Sequence, residues 1–156
     1  MPHDEHIAIL RDFVPRLRAL IAGLSPQQLT TVYIEGEWTI AQNVHHLFDA
    51  HVNAYQLARR VLSEDNASLS WPQQDVIAQL PDAQDAELEP SLRGLEGLHA
   101  RWTQMFGQIS DWSRAGTSAK SGKVYTIADL LALYARHCEN HIVQIQAVLD
   151  AMPDTP

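Results

Sequence analysis

Apolar residues recur at helical spacing in four long segments, and this pattern constrains the fold of the chain more than any other feature. The segments span about 4–23, 40–63, 90–109 and 127–151. In the first segment the apolar residues follow one another at steps of three and four: Ile7, Leu10, Val14, Leu17 and Ile21. Each segment has one apolar face and is long enough for several helical turns. The sequence therefore predicts an all-α fold, in which four antiparallel helices each bury one face.

Helix start signals support these boundaries. Thr39 is followed three residues later by Gln42, and Thr126 is followed three residues later by Asp129, a spacing typical of a capping box. Pro90 is a favoured first residue of a helix. Strand signals are weak: residues 31–34 could be extended, and the long connection 65–90 is expected to contain only a helical turn near 75–80.

Length, charge and cysteine content exclude several classes of protein. A chain of 156 residues is expected to form one domain, 1–156. The formal net charge of −8 disfavours nucleic acid as a partner, and no run of 18 apolar residues could span a membrane. The start of the chain does not read as a signal peptide. A single cysteine cannot form an internal disulfide, which favours a reducing, cytoplasmic location.

Charge is concentrated in two connections. Residues 65–90 carry six carboxylates and contain no Lys or Arg. This segment is predicted to be either a solvated connection or an acidic rim that repels anionic ligands. Residues 113–125 carry Arg114, Lys120 and Lys123 among Gly and Ser, and we expect a mobile basic connection there.

The eight histidines are the most informative candidates for functional residues. His3 and His6 are expected to be exposed and without function. Glu96 and His99 form one Glu-x-x-His pair, but a di-iron bundle needs two such pairs, and the second is missing. That class of protein is therefore excluded.

His137 and His141 lie four residues apart on the fourth predicted helix. At this spacing two side chains point within about 40° of each other and lie about 6 Å apart along the axis. Their imidazoles can converge on one metal ion, although two polar residues on a partly buried face give the same spacing. Glu139 lies about 200° round the helix, so a zincin-type protease is excluded. Cys138 is predicted to be a packed core residue.

A third ligand must come from another helix. His45 and His46 lie in the first third of the second predicted helix, and periodicity does not choose between them. Three His ligands with one open position are what a catalytic zinc-type site needs, because water or a substrate takes that position.

Four segments together carry a family resemblance: 36–39 (GEWT), 44–55 (VHHLFDAHVNAY), 98–102 (LHARW) and 134–142 (YARHCENHI). They resemble the YfiT-like branch of the DinB superfamily, over about residues 7 to 150. The resemblance implies a four-helix bundle of up-down-down-up order, a homodimer and one divalent metal ion, zinc or nickel. It assigns the metal ligands to His46, which precedes a leucine, and to His137 and His141. Members are described as metal-dependent hydrolases, and related proteins are S-transferases or isomerases that use a low-molecular-weight thiol such as bacillithiol or mycothiol.

Three functions follow as hypotheses, all with a small-molecule substrate or ligand. The first is a metal-dependent S-transferase with a low-molecular-weight thiol as cosubstrate. The second is a hydrolase with metal-activated water, for which Asp49 and Glu139 are the only general-base candidates by sequence proximity. The third is a non-catalytic bundle that the metal only crosslinks. Asn53 is a candidate to orient a ligand, and Tyr55 and Tyr134 are expected to pack or to place a hydroxyl near the metal.

Overall fold

The computed structural model describes residues 2–154, most of which form four long helices. These are α1 (Asp4–Ile21), α3 (Ile40–Ser63), α5 (Glu89–Gly107) and α6 (Ile127–Ala151). The connections contain two short helices, α2 (Pro26–Thr30) and α4 (Gln74–Ile77), and a 3-10 turn at Pro81–Gln84. All four predicted helices are confirmed, as is the helical turn expected near residues 75–80.

Capping boxes begin the two helices that carry the candidate ligands. The Thr39 side chain accepts a hydrogen bond from the Gln42 backbone N–H, and the Gln42 side chain accepts one from the Thr39 N–H. Thr126 and Asp129 make the same reciprocal pair at the start of α6. Two backbone donors that the helix itself leaves unpaired are thereby satisfied at each start.

The order of contacts along the helices gives their directions. His99 of α5 bonds the carbonyl oxygen of Leu10, near the start of α1. Arg18, near the end of α1, forms an ion pair with Glu89 at the start of α5. Helices α1 and α5 are therefore antiparallel.

Helix α3 runs in the same direction as α5. His45 bonds Ser91 and His51 bonds His99, so residue numbers rise together along α3 and α5. These two helices are parallel, as the up-down-down-up order implied by the resemblance requires, whereas periodicity alone had indicated four antiparallel helices. Two consecutive helices that are parallel need a connection that runs back along the whole length of the first helix, about 36 Å for the 24 residues of α3. The segment from residue 64 to residue 88 is long enough to span this distance.

Helix α6 is antiparallel to α3. Asn43 bonds His141 while His51, further along α3, bonds His137, which comes earlier in α6. The four long helices therefore run up-down-down-up. Helices α1 and α3 each pack against both α5 and α6, so that α3 and α6 are neighbours.

A small sheet joins the two connections that sequence patterning left without structure. Strands β1 (Ala67–Leu69) and β2 (Ala115–Ser118) are parallel, and β2 pairs antiparallel with β3 (Val124–Thr126). The basic segment expected to be mobile is thus the β2–β3 hairpin, held by backbone pairing on both sides of β2. Residues 31–34 do not form a strand.

The core lies between the four long helices. Its fully buried large side chains include Phe13, Leu47, Leu95, Trp102 and Leu131, at most 1% exposed. Histidine is buried among them: His51 is 0% and His99 2% exposed. Within residues 2–154, no helix has both the length and the apolar character needed to cross a membrane.

Candidate metal centre

Helices α3 and α6 bring three imidazoles together in the bundle. His46 comes from α3, and His137 and His141 come from consecutive turns of α6. One ring nitrogen from each lies within 4.8 Å of the other two, and His46 Nε2 lies 3.2 Å from His137 Nε2. These are the three residues that the resemblance assigned, and the i, i+4 pair on α6 converges as its spacing predicted.

His45 lies in a different environment although it is the next residue along the chain. Its Nδ1 is 2.7 Å from Ser91 Oγ and its Nε2 is 2.9 Å from the carbonyl oxygen of Asp85. Both ring nitrogens are therefore engaged against α5 and the connection before it. The choice between His45 and His46 that periodicity left open is decided by the rotation of α3.

The orientation of His141 is set by an amide. Asn43 donates its side-chain N–H to the carbonyl oxygen of Thr39 at 3.0 Å, which turns its Oδ1 towards His141. That oxygen accepts a hydrogen bond from His141 Nδ1 at 2.9 Å. A neutral imidazole with its proton on Nδ1 carries its lone pair on Nε2. His141 Nε2 is therefore free to bind a cation.

His46 has a neighbour that can set its tautomer in the same way. His46 Nδ1 and Gln74 Oε1 are both buried, and neither has a hydrogen-bond partner within residues 2–154. The Gln74 side chain lies close enough to His46 to raise the pKa of the imidazole, against the larger lowering by burial. A hydrogen bond from His46 Nδ1 to Gln74 would satisfy both atoms and leave His46 Nε2 facing the other two rings.

Burial keeps the three imidazoles in the form that binds metals. It lowers the pKa of His46 and of His137 to about 4, and that of His141 to about 3. The nearby imidazoles lower the pKa values of His137 and His141 further, because a charge on one ring would repel a charge on the next. At neutral pH all three are therefore uncharged, as metal ligation requires. Three converging neutral nitrogen donors fit a divalent metal ion of the zinc type.

A polar cavity of about 310 Å³ opens beside the cluster. Its walls include His141, Trp38 and two carboxylates, Glu37 and Asp75. The Trp38 ring centroid lies 4.7 Å from that of His46. The cavity therefore brings an indole and two carboxylates next to one of the three candidate ligands.

The general-base candidates named from sequence proximity lie elsewhere. Asp49 lines a separate cavity together with His45 and Asp82, and burial raises the pKa of its carboxyl. Glu139 faces away from the cluster and forms a two-point ion pair with Arg16 of α1.

The remaining predictions divide between confirmed and wrong. Cys138 is fully buried, as predicted, and burial raises the pKa of its thiol. Asn53, a candidate to orient a ligand, donates a side-chain hydrogen bond to the carbonyl oxygen of Ser70 instead. His3 and His6 are half-buried rather than exposed, and the His3 ring stacks on Trp112 with centroids 3.8 Å apart.

The two tyrosines differ in their surroundings. Tyr134 is buried, packs its ring on His51 and His137, and accepts a hydrogen bond from Trp71. Burial raises the pKa of its hydroxyl to about 12. Tyr55 is half-buried, and the guanidinium groups of Arg59 and Arg101 lie 5.8 and 5.9 Å from its ring centroid.

Sequence reasoning missed five residues that surround the centre: Asn43, His51, Gln74, Asp75 and His99. One signal was available for His51, which occupies a position on the otherwise apolar face of its helix. A polar residue at such a position needs a buried partner. Asn43, Gln74 and Asp75 carried no comparable signal, because their roles depend on contacts between distant segments.

Comparison with known proteins identifies the family of the chain. The DinB superfamily profile matches residues 10–145 of the chain. The chain belongs to the DinB superfamily. Because the match includes α3, α5 and α6, it covers every residue of the cluster.

Two relatives show how this DinB chain compares at the sequence level. A protein of Geobacillus thermodenitrificans named "Putative metal-dependent hydrolase" is 37% identical over 146 residues, 92% of this chain and 82% of that protein. YfiT of Bacillus subtilis, which carries the same description, is 30% identical over 144 residues, 91% of this chain and 81% of its own. These names and the donor set both support a divalent metal ion.

Two solved structures agree with the fold. YfiT of Bacillus subtilis, described as having an unusual four-helix bundle topology, matches with a TM-score of 0.89 and 29% identity, over 94% of this chain and 85% of that one. The mycothiol-dependent maleylpyruvate isomerase matches with a TM-score of 0.59 and 18% identity, over 93% of this chain and 61% of that one. At this identity the second likeness concerns the fold alone.

Proposed function

We propose that this protein is a metal-dependent enzyme that transfers a low-molecular-weight thiol to an electrophilic small molecule. The observation that carries the proposal is the convergence of three neutral imidazole nitrogens beside a polar cavity. His46, His137 and His141 would hold one divalent ion, zinc or nickel, through nitrogen. Because all three ligands are uncharged, the ion would keep its full positive charge.

A bound divalent ion supplies Lewis acidity, which lowers the pKa of a thiol or water molecule at its remaining position. The one thiol of the chain, that of Cys138, is fully buried in the core and is not accessible to a substrate. The attacking sulfur would therefore come from a cosubstrate. Its proton has acceptors on the cavity wall, where Glu37 and Asp75 lie beside His141.

The transfer forms one bond and breaks one. The thiol sulfur bonds to the electrophilic carbon of the acceptor, and the leaving group departs with its electron pair. A second cavity of about 230 Å³ shares Glu37, Trp38 and Gln144 with the first and adds Ile34 and Val148 as apolar lining. Its apolar lining suits the hydrocarbon part of the acceptor, while the more polar first cavity suits the thiol.

A hydrolase is the second candidate, and the wall carboxylates favour it. A water molecule at the metal needs a general base, and Asp75 or Glu37 provides the carboxylate that sequence proximity did not. The relatives' description as metal-dependent hydrolases also supports this route. A non-catalytic bundle that the metal crosslinks is the third.

Activity and metal content, measured on the same samples, test these proposals. The metal-loaded protein is mixed with monochlorobimane and, in turn, bacillithiol, mycothiol and cysteine, and conjugate formation is followed by fluorescence. A parallel panel of ester and amide substrates reports hydrolysis. Acceleration with a thiol supports the transferase. Acceleration only in the ester and amide panel supports the hydrolase, and a metal-bound protein inert to both supports the crosslinked bundle.

Matched variants tie any activity to the site. His46→Ala should lose the stoichiometric metal, measured by elemental analysis of untagged protein, and the activity. His45→Gln changes the adjacent histidine and should keep both. Asp75→Asn should slow turnover with the metal retained, whereas Asp82→Asn, in the same acidic connection, should not. Equal metal in His46→Ala and wild type would refute the assignment of the ligands.

A further inference from the structure

A row of buried imidazoles leads from His137 away from the cavity and into the core. His137 Nδ1 is 3.0 Å from His51 Nε2, and His51 Nδ1 is 2.8 Å from His99 Nε2. The row ends where His99 Nδ1 lies 2.7 Å from the carbonyl oxygen of Leu10. One residue from each of the four long helices takes part, and His51 and His99 are at most 2% exposed.

The carbonyl oxygen at the end of the row sets the direction of every hydrogen bond. A carbonyl only accepts, so His99 Nδ1 carries a proton and donates it to Leu10. A neutral imidazole has one N–H, so His99 Nε2 accepts from His51 Nδ1. By the same reasoning His51 Nε2 accepts from His137 Nδ1, which leaves the lone pair of His137 on Nε2.

The surroundings of the row favour uncharged imidazoles over a protonated, positively charged ring. The rings are enclosed by aromatic side chains, with Phe13, Trp102 and Tyr134 against His51. No carboxylate forms an ion pair with His51 or His99 within residues 2–154. A buried unpaired cation costs far more free energy than a neutral hydrogen-bonded ring.

We propose that His51 and His99 are positioning residues that fix the ring orientation and the Nδ1–H tautomer of His137. The inference rests on the proposed metal site, which uses the Nε2 lone pair of His137. His141 and His46 have amide side chains beside their Nδ1 atoms, whereas the group beside His137 Nδ1 is the imidazole of His51. The tautomer of His51 is fixed in turn by a second imidazole, that of His99. The tautomer that His137 needs to bind a metal ion is therefore set by a backbone carbonyl of α1, which is three hydrogen bonds away from it.

Histidine tautomers can be read directly by NMR from two-bond couplings between ring nitrogens and carbon-bound protons. In uniformly ¹⁵N-labelled full-length protein, without metal and with one equivalent of zinc, we expect the Nδ1–H form at His51 and His99 in both samples. An Nε2–H signal at either residue would overturn the proposal. The metal-free sample tests the tautomers of the row even if zinc does not bind. A failure of this inference can therefore be told apart from a failure of the proposed function.

Two substitutions at one position separate hydrogen bonding from packing. A Gln side chain can place its amide oxygen near the position of His51 Nε2 and accept from His137 Nδ1, whereas Leu fills space without accepting. Zinc affinity is measured by competition with a chromophoric chelator. His51→Leu should weaken zinc binding about 10- to 100-fold, the usual effect of removing a group that orients a ligand, and His51→Gln should stay within about threefold of wild type.

The comparison has defined contrary outcomes. Unchanged zinc affinity in His51→Leu would refute the positioning role, and equal losses in the Gln and Leu variants would assign the effect to packing instead. His45→Gln is the control, because it alters a buried histidine of α3 that lies outside the row and has both ring nitrogens hydrogen-bonded. If His51→Leu does not fold, His99→Leu replaces it in the comparison, because it removes the acceptor for His51 Nδ1 and should weaken zinc binding. His99→Gln, which keeps an acceptor, should bind zinc as wild type does, and equal affinities in the two variants would refute the positioning role.

Discussion

Zinc added to the metal-free protein should raise its free energy of unfolding, because the three proposed ligands lie on two helices that unfolding separates. His46 lies on α3, and His137 and His141 lie on α6. An unfolded chain holds the α6 pair but has no fixed third ligand. Zinc therefore binds the folded state preferentially, and the preference appears as stability.

The size of this effect follows from mass action. With free zinc at 100 times its dissociation constant, the gain is about 2.7 kcal/mol, and each further tenfold adds about 1.4 kcal/mol. For a chain of this length, ~2–4 °C per kcal/mol converts the first figure to a rise in Tm of about 5–11 °C. Differential scanning calorimetry over a series of free zinc concentrations measures both the rise and its logarithmic slope.

Matched variants decide whether the rise comes from the proposed centre. His46→Ala removes the α3 ligand and should abolish the zinc-dependent rise, while His45→Gln should lower the starting Tm and keep the rise. A rise of the same size in His46→Ala would show that zinc binds elsewhere. Absence of any rise in the wild type, at zinc concentrations that saturate a chelator of micromolar affinity, would refute the assignment of the three histidines as a metal centre.

Other predictions concern the framework around the site. Gly116→Ala should destabilise the protein by about 1–3 kcal/mol in urea unfolding, because a Cβ there would lie 2.8 Å from a backbone oxygen of β1. Gly97→Ala should stabilise α5 by about 0.5–1 kcal/mol, because within residues 2–154 the new Cβ would meet nothing within 4 Å other than its chain neighbours and the nearby backbone of α5 itself. Thr126→Ala should cost about 1 kcal/mol by removing one arm of the capping box of α6, and an unchanged urea midpoint would contradict that role. The ion pair with Arg16 lowers the pKa of Glu139, so its contribution is present above the ordinary glutamate pKa of about 4.3 and is lost as the pH falls through the lowered value. Glu139→Gln should therefore cost under about 1 kcal/mol at pH 7, because both side chains are over 40% exposed, and nothing once the pH is below the lowered pKa.

Features encoded locally could be predicted from the sequence. The four helices follow from apolar spacing and from capping residues that act within four positions of each other. The convergence of His137 and His141 is a property of one helix and needs no knowledge of packing. The small sheet could not be predicted, because its strands have three or four residues and β1 pairs with a strand almost fifty residues later.

Features that depend on how helices meet could not be derived from periodicity. The choice of His46 over His45 depends on how α3 rotates against α6, and only the resemblance supplied it. The parallel packing of α3 and α5 came only from the up-down-down-up order that the resemblance implied, because a long connection fits either direction. The pairing of His51 with His99 depends on that packing, so the role of His99 could not be recognised from its sequence neighbours.

The hydrogen bonds around the centre imply that the orientations of the three imidazole rings do not depend on a bound cation. Asn43 and His51 each accept from the Nδ1 of one ligand ring, and Gln74 is placed to do so for the third. This arrangement directs three lone pairs towards one region of space, where without a cation they repel one another. Burial prevents the rings from relieving that repulsion by taking up protons, since it lowers the pKa values of all three to about 4 or below. A divalent ion removes the repulsion without moving the rings, so we expect metal binding to be favoured by a framework that the folded chain has already formed.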